Sequence, residues 1–279
     1  MSYQQVKNLK PEDFKRLSGV RRETFTQMLE VVRAHTRPKK KTGRPGKLSL
    51  EDQLLMTLEY WRKYRTYFHI GQSWGVNEST VYRIIRKMED ALVTSRAFTL
   101  PGKKKLQTSD YQIEVVVVDV TETPIERPKK KQKQFCGKKK RHTLKSQVVV
   151  NQSTGKILCT AHGKGKEHDF RIFKNSKLRL IKDIEFLGDK GYQGIHKLHV
   201  KSRIPKKKPR GGKLNREEKK SNQELAQVRV VGEHINRKLK IFKILSDRYC
   251  NRRKRFALRF NLIAGLYNYE LRLPKTESA

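Results

Sequence analysis

Acidic side chains are scarce in this chain, 27 Asp and Glu against 66 Lys and Arg, so the acids that close apolar segments stand out. Asp119 follows four consecutive valines in EVVVVDVTETPIERP (114–128), at the point where a buried strand is expected to end. Asp189 follows IEFL within LGDKGYQG, where Gly188, Gly191 and Gly194 allow tight turns. Glu233 lies in a helical pattern in which Leu225, Val228, Gly232, Ile235, Leu239 and Phe242 recur at spacings of three and four. It sits one position past Gly232, whose missing side chain lets a helix lie close to a sheet. A carboxylate is costly to bury without a partner, and three converging carboxylates repel one another. A divalent cation inverts that logic: Mg²⁺ takes hard oxygen ligands, and two ions roughly 3.5–4 Å apart can clamp the attacking and leaving oxygens of a phosphodiester. The chemistry these residue types could do is phosphoryl transfer on nucleic acid.

Each acid also has a plainer reading. Asp119 could pair with nearby lysines, Asp189 could be a turn residue beside glycine, and Glu233 has Arg229 and Arg237 four positions away on either side. Glu122 and Glu126 follow Asp119 closely, but a proline-containing segment is expected to lead them away. Asp169 in EHDFRIF reads as a helix N-terminal acid. Cys159, His162 and His168 lack a second ligand pair at structural-zinc spacing. No GxxxxGK[ST] phosphate loop is present, so ATP-driven chemistry has no support.

The elements that must position these acids fall into two regions. Before residue 100 the pattern is helical. Phe25, Met28, Leu29 and Val32 share one helix face, and LSLEDQLLMTLEYWRKY starts a second helix with Ser49 as its cap. HIGQSWGVNESTVYRIIRKMEDAL reads as helix, glycine-containing turn and helix, with Val76, Val81 and Ile84 as the clamping contacts. In such a helix-turn-helix the second helix enters the major groove with its N-terminal residues on base edges. The candidates are Asn77, Ser79, Thr80, Tyr82 and Arg83, with Glu78 beside them and Arg86 and Lys87 placed for phosphates. After residue 110 strands alternate with helices: IEVVVVDV as a doubly covered strand, a hairpin over 142–163 turning at Ser153, Thr154 and Gly155, and helices over 169–181, 215–245 and the C-terminal RRKRFALRFNLIAGLYNYEL. The expected organisation is a helical domain over 1–99 with its helix-turn-helix at about 48–93, a basic linker over 100–110, and an α/β domain over 111–273.

The formal net charge of +39 calls for a polyanionic partner, because phosphates neutralised by Lys and Arg release counterions. A charged but merely soluble surface, or an anionic membrane surface, are the alternatives. No apolar run approaches the roughly 18 residues of a membrane span, and the N-terminal MSYQQVKNLKPEDFKRLS is unlike a signal peptide. Cys136, Cys159 and Cys250 show no paired spacing, which suits a reducing compartment. The expected setting is the cytoplasm of a prokaryotic cell, at the nucleoid, with no membrane partner.

DVTETPIERP (119–128), GKKKRHTLKSQ (137–147), GKEHDFRIF (165–173), GDKGYQG (188–194) and VVGEHINRKLKIFKIL (230–245), in this order, resemble a DDE transposase of the insertion sequence five family, akin to the Harbinger group. The resemblance covers the segment from 111 to 270, and the helix-turn-helix upstream fits the same family. It implies a ribonuclease H-like mixed sheet flanked by helices, with Asp119, Asp189 and Glu233 as the catalytic and metal-binding acids. It also implies Mg²⁺ or Mn²⁺, double-stranded DNA as partner (terminal inverted repeats and target), and a homodimer or higher multimer holding both ends. By the same likeness Lys138, Lys139, Lys140, Arg141 and His142 contact DNA phosphates, and Tyr192, Arg237 and Lys240 orient DNA. Gly232 is a mild departure, since a bulkier residue commonly precedes the Glu. The expected function is cleavage at the ends of an insertion sequence and joining of 3′-hydroxyls to target DNA. The rivals are a helix-turn-helix regulator that only docks DNA, and a metal-dependent nuclease that hydrolyses without joining.

Overall fold

The structure is a computed structural model that describes residues 1–35, 46–108, 113–137, 141–209 and 211–274. Its contacts divide into two compact units. One comprises Met1–Thr99, Leu239–Asp247 and Arg255–Ala279; the other comprises Leu100–Lys238 and Arg248–Lys254.

The second unit is built on a five-stranded mixed sheet. Strands β1 (Val115–Pro124), β2 (Thr143–Asn151) and β3 (Ile157–Lys164) form an antiparallel meander, after which the short helix Asp169–Asn175 leads into β4 (Glu185–Leu187) and β5 (Ser202–Arg203). β4 and β5 add in parallel on the other side of β1, giving the order β3-β2-β1-β4-β5 of a ribonuclease H-like sheet. The valine run is apolar on both faces because both are covered. Val116 and Val118 pack with Phe173, Phe186 and Tyr192. Val115 and Val117 pack with Leu187, and with Leu225 and Val228 of the long helix Arg216–Leu239. Side chains alternate along a strand, so Asp119 shares the face of Val117 and meets that long helix.

Asp119 does not end its strand, as the valine run suggested. β1 continues to Pro124 and stays paired with β2 throughout, Asp119 opposite Val148. What ends is the parallel partner: β4 pairs with Val115–Val117 only. The expected helix over 169–181 stops at Asn175, with Lys177 in the left-handed region at φ 52°. The long helix expected to run to 245 ends at Leu239, followed by the short helix Lys243–Ser246.

The first unit is helical. Its N-terminal helices, in chain order, are α1 (Tyr3–Val6), α2 (Pro11–Ser18), α3 (Arg22–His35), α4 (Leu50–Lys63), α5 (Tyr67–Trp74) and α6 (Glu78–Thr94). Continuing that numbering, the helices named above are α7 (Asp169–Asn175), α8 (Arg216–Leu239) and α9 (Lys243–Ser246), and the last is α10 (Phe256–Glu270). Ser49 caps α4 as expected, its Oγ accepting from Asp52 N at 3.1 Å. Thr66 and Asn77 cap α5 and α6 in the same way. The α5–α6 turn needs two glycines. Gly75 sits at φ 62°, and a Cβ on Gly71 would lie 2.6 Å from the Val76 carbonyl oxygen.

α10 belongs to this helical unit by its contacts, although the sequence reading grouped it with the α/β region. Gly265 abuts the backbone of Phe98, and Arg259, almost fully buried, binds Glu89 Oε1 through Nε at 2.6 Å. Arg255 Nε takes the other oxygen of Glu89 at 2.6 Å, and Trp61 Nε1 donates to Oε1 at 3.1 Å. A buried carboxylate is thus met by two guanidinium groups and an indole, and losing one partner would leave an uncompensated charge.

Candidate active site

Sheet register brings the two aspartates together. Val117 is paired with Leu187 in parallel, and each aspartate lies two residues further along its own chain. Asp119 and Asp189 therefore emerge level with each other where β4 has ended. Asp189 then caps a single 3₁₀ turn, its Oδ1 accepting from Gly191 N at 2.8 Å. Burial pushes the Asp119 carboxyl above the usual carboxylate range; the Val120 N–H and the Arg229 guanidinium oppose this, while Asp189 reinforces it. Two carboxylates, one of them desolvated, thus share the mouth of the sheet.

α8 closes the site on the valine face. Gly232 is buried, and a Cβ there would stand 3.3 Å from Val117 Cγ1 and 3.5 Å from Asp119 Cβ. One turn on, Asn236 Nδ2 donates to Asp119 Oδ2 at 2.7 Å. Arg229, Glu233 and Asn236 fall at i, i+4 and i+7, so they neighbour one another on the helix surface. Glu233 itself is exposed. Among the described residues no group of three His, Cys, Asp or Glu side chains stands close enough to hold a metal ion. The structure thus brings Asp119 and Asp189 together and leaves the Glu233 carboxylate at the edge of the same helix face.

A second layer supports Asp189. Asp169 at the start of α7 lies against the Asp189 turn: a Cβ on Gly191 would be 2.7 Å from Asp169 Oδ2 and 2.9 Å from Asp189 Oδ1. Lys145 Nζ, largely buried on β2, binds Asp169 Oδ1 at 2.8 Å and the Glu167 carbonyl at 2.9 Å. Tyr192, expected to orient DNA, is instead fully buried, with its hydroxyl donating to Gln147 Oε1 at 3.2 Å and its ring against Phe173 and Phe186. It is a packing residue beneath the acids, because a side chain with no exposed surface cannot meet a duplex. Asn236, Arg229 and Lys145 were not picked out as site residues from the sequence. The helical period, which puts 229, 232 and 236 on one stripe, was the signal that could have found the first two.

Residues 118–268 match the family described as DDE superfamily endonuclease, and residues 46–98 match the helix-turn-helix of DDE superfamily endonuclease. The chain belongs to the DDE superfamily of transposases. It is 54% identical to the "Probable transposase for insertion sequence element IS702" of Microchaete diplosiphon, over 98% of this chain and 99% of that one. It is 26% identical to a protein of Streptomyces albus G named as a transposase for insertion sequence element IS112, over 82% of this chain and 84% of the other. No helix among the described residues is long and apolar enough to cross a membrane.

The remaining candidates of this transposase sit as follows. On α6, Ser79, Tyr82, Arg83 and Lys87 are exposed, and Thr80 and Arg86 half-buried. The Arg86 guanidinium lies 5.6 Å over the Tyr82 ring, and Arg83 Nε donates to Ser79 O at 3.2 Å. Asn77 is also exposed, but its Oδ1 is used for capping, accepting from Ser79 N at 2.9 Å. Arg141 is exposed and His142 half-buried just before β2, whereas Lys138, Lys139 and Lys140 lie outside the described residues. Arg237 is exposed near the end of α8; Lys240 is half-buried and falls in the helical unit.

Proposed function

We propose that this transposase binds the terminal inverted repeats of its insertion sequence, cleaves at the element ends and joins the resulting 3′-hydroxyls to target DNA. The observation that carries this reading is the level pair formed by Asp119 on β1 and Asp189 just past the end of parallel β4, with the Asp119 carboxyl desolvated and set against the glycine face of α8. Such a pair fits a divalent cation. Its donors are hard oxygens, burial has made the Asp119 negative charge costly, and Asn236 Oδ1 close by is a buried acceptor without a hydrogen-bond partner among the described residues. Mg²⁺ or Mn²⁺, as two ions held by Asp119 and Asp189 with Glu233 joining from α8, would supply activation of the attacking oxygen and charge stabilisation at the leaving oxygen.

The chain's own residues do the rest. The Asn236 amide holds one oxygen of Asp119, and Arg229 offsets the paired negative charge. The Gly191 N–H and the Lys145–Asp169 pair fix the Asp189 turn. Ser79, Thr80, Tyr82 and Arg83 on α6 read the repeat while Arg86 and Lys87 hold phosphates, and Arg141, His142, Arg237 and Lys240 contact the backbone nearer the cut. Residues 1–99 are the repeat-reading domain and 100–110 the linker; the catalytic region is the α/β unit from 111 onward without α10, which packs with the helical unit, and the protein acts as a homodimer or larger complex that pairs two ends.

The test is incubation of the purified protein and Mg²⁺ with duplex DNA spanning the boundary of its own element, plus a circular target. Nicks at the element ends and joined products are expected. Nicks without joined products reduce the activity to a nuclease; specific binding without nicks at any metal concentration makes the protein a DNA-binding regulator.

A further inference from the structure

Past Asp119, β1 runs on to a strongly basic cleft. Tyr249 N donates to Pro124 O at 2.9 Å and Glu126 N to Tyr249 O at 3.2 Å. Through this pairing, residues 248–253 are stitched beside the continuation of β1, and Ile125 bridges Tyr249 in parallel. Between the two segments lies a cleft of ≈ 700 Å³ whose lining includes Arg127, Lys129, Lys130, Arg248, Arg252 and Arg253, with Glu126 its single acid. All six cationic residues are exposed. Arg252 and Arg253 hold left-handed backbone, at φ 45° and 68°, where residues other than glycine are seldom found. The Arg253 guanidinium is set 4.5 Å over the Phe135 ring, which fixes its direction. Six like charges from two distant stretches of sequence, gathered by backbone hydrogen bonds into one concave surface, repel one another unless an anion is present.

We propose that this cleft is a DNA-backbone site separate from both the helix-turn-helix and the paired aspartates, and that it takes duplex phosphates at a fixed distance from the cut. Ile125 is six residues beyond Asp119 along an extended chain, a span of about 20 Å at about 3.3 Å per residue. Duplex DNA rises about 3.4 Å per base pair, so the cleft grips phosphates about six base pairs from the bond positioned at Asp119. A cleft lined mainly by Arg and Lys side chains suits phosphate contacts, which position a duplex whatever its sequence. The distance rests on the cleavage reading above; the backbone site itself does not.

The experiment compares the full-length protein with the double variant Arg248→Ala/Arg252→Gly and the charge-keeping pair Arg248→Lys/Arg252→Lys. Each binds the same element-end duplex over a range of salt concentrations. Loss of two phosphate contacts lowers the slope of log affinity against log salt by about 2, at about 0.9 per contact, and the lysine pair restores it. Glycine adopts positive φ freely, so the double variant keeps or exceeds the wild-type melting temperature, which separates lost binding from lost folding. Neutral methylphosphonates placed one at a time along the duplex should weaken wild-type binding most about six base pairs from the cut and weaken the double variant less there. A wild-type salt slope in the double variant overturns the site, and a sensitive phosphate at any other separation overturns the spacing. Failure of the wild type to cleave, with the slope difference intact, sinks the nuclease reading and leaves the cleft assignment standing.

Discussion

At the scale of single residues, Asp119 carries the sharpest consequences. Its carboxyl is desolvated and holds its proton to a higher pH than in an unfolded chain. The stability it contributes is therefore fully present below the ordinary value near 4 and lost as pH rises through the folded value. In chelator at pH 7.5, Asp119→Asn should melt at a higher temperature than wild type, and the gap should close near pH 4. The same variant should bind DNA normally and cleave at least about 10²-fold more slowly, the scale on which a single group stabilising transition-state charge acts. Near wild-type cleavage by this variant would remove Asp119 from the chemistry. Asp119 and Asp189 were legible in the sequence because acids ending apolar runs are rare in so basic a chain. Asn236 was not, because an asparagine on a helix carries no local sign of the strand atom it will meet. Tyr192 was misplaced for the converse reason: its neighbours in sequence are glycines and polar residues, and only the packing of Phe173 and Phe186 buries it.

Elements decide how these residues meet. Gly232 lets α8 approach β1, and a Cβ there is already tight against Val117 and Asp119. Gly232→Leu should lift the helix from the strand and lower cleavage by on the order of 10²-fold, as expected for misplacement of a catalytic group by about 1 Å. DNA affinity measured without metal should be unchanged; parallel loss of binding and cleavage would mean general unfolding instead. The β2–β3 hairpin offers a pH test. His162 on β3 shares a hydrogen bond of 2.9 Å with Ser146 on β2, and burial pushes its pKa down to about 4. The unfolded chain takes up that proton near 6.5, so stability falls as pH drops from 6.5 towards 4, by roughly 3 kcal/mol at about 1.4 kcal/mol per unit. Urea unfolding at pH 7 and pH 4.5 should show this loss in the wild type and much less of it in His162→Asn; an equal loss in both would assign the acid sensitivity elsewhere. The helix-turn-helix was legible from its glycines and caps. The continuation of β1 was not, because Thr121 and Thr123 are polar yet buried, so the hydrophobic alternation that marks a strand is missing after Asp119.

For the whole molecule, charge is the governing quantity. A net charge of +39 spread over both regions of the chain predicts binding dominated by counterion release. Raising salt from 50 to 200 mM should cost at least about 10³ in DNA affinity, the loss expected for six or more phosphate contacts. A flat titration in a filter or anisotropy assay would contradict the use of that charge on DNA. The compact units also depart from chain order, since α10 folds with the N-terminal helices. Its apolar pattern announced a helix, but the buried Glu89 that receives Arg255 and Arg259 lies about 170 residues earlier, and no local pattern reports a partner at that separation.

The sequence by itself determined the class of chemistry, the helix-turn-helix, the alternation of strands and helices after residue 110, and the acids at the sheet mouth, because each is written in local period, turn chemistry or composition. Only the tertiary structure decided that β4 ends level with Val117 and so opens the sheet at Asp119, that Asn236 holds that carboxylate, that Tyr192 lies beneath the site, and that residues 125–130 and 248–253 form one basic cleft. Those facts depend on register and on contacts between distant segments, which are set by the packing of the chain as a whole.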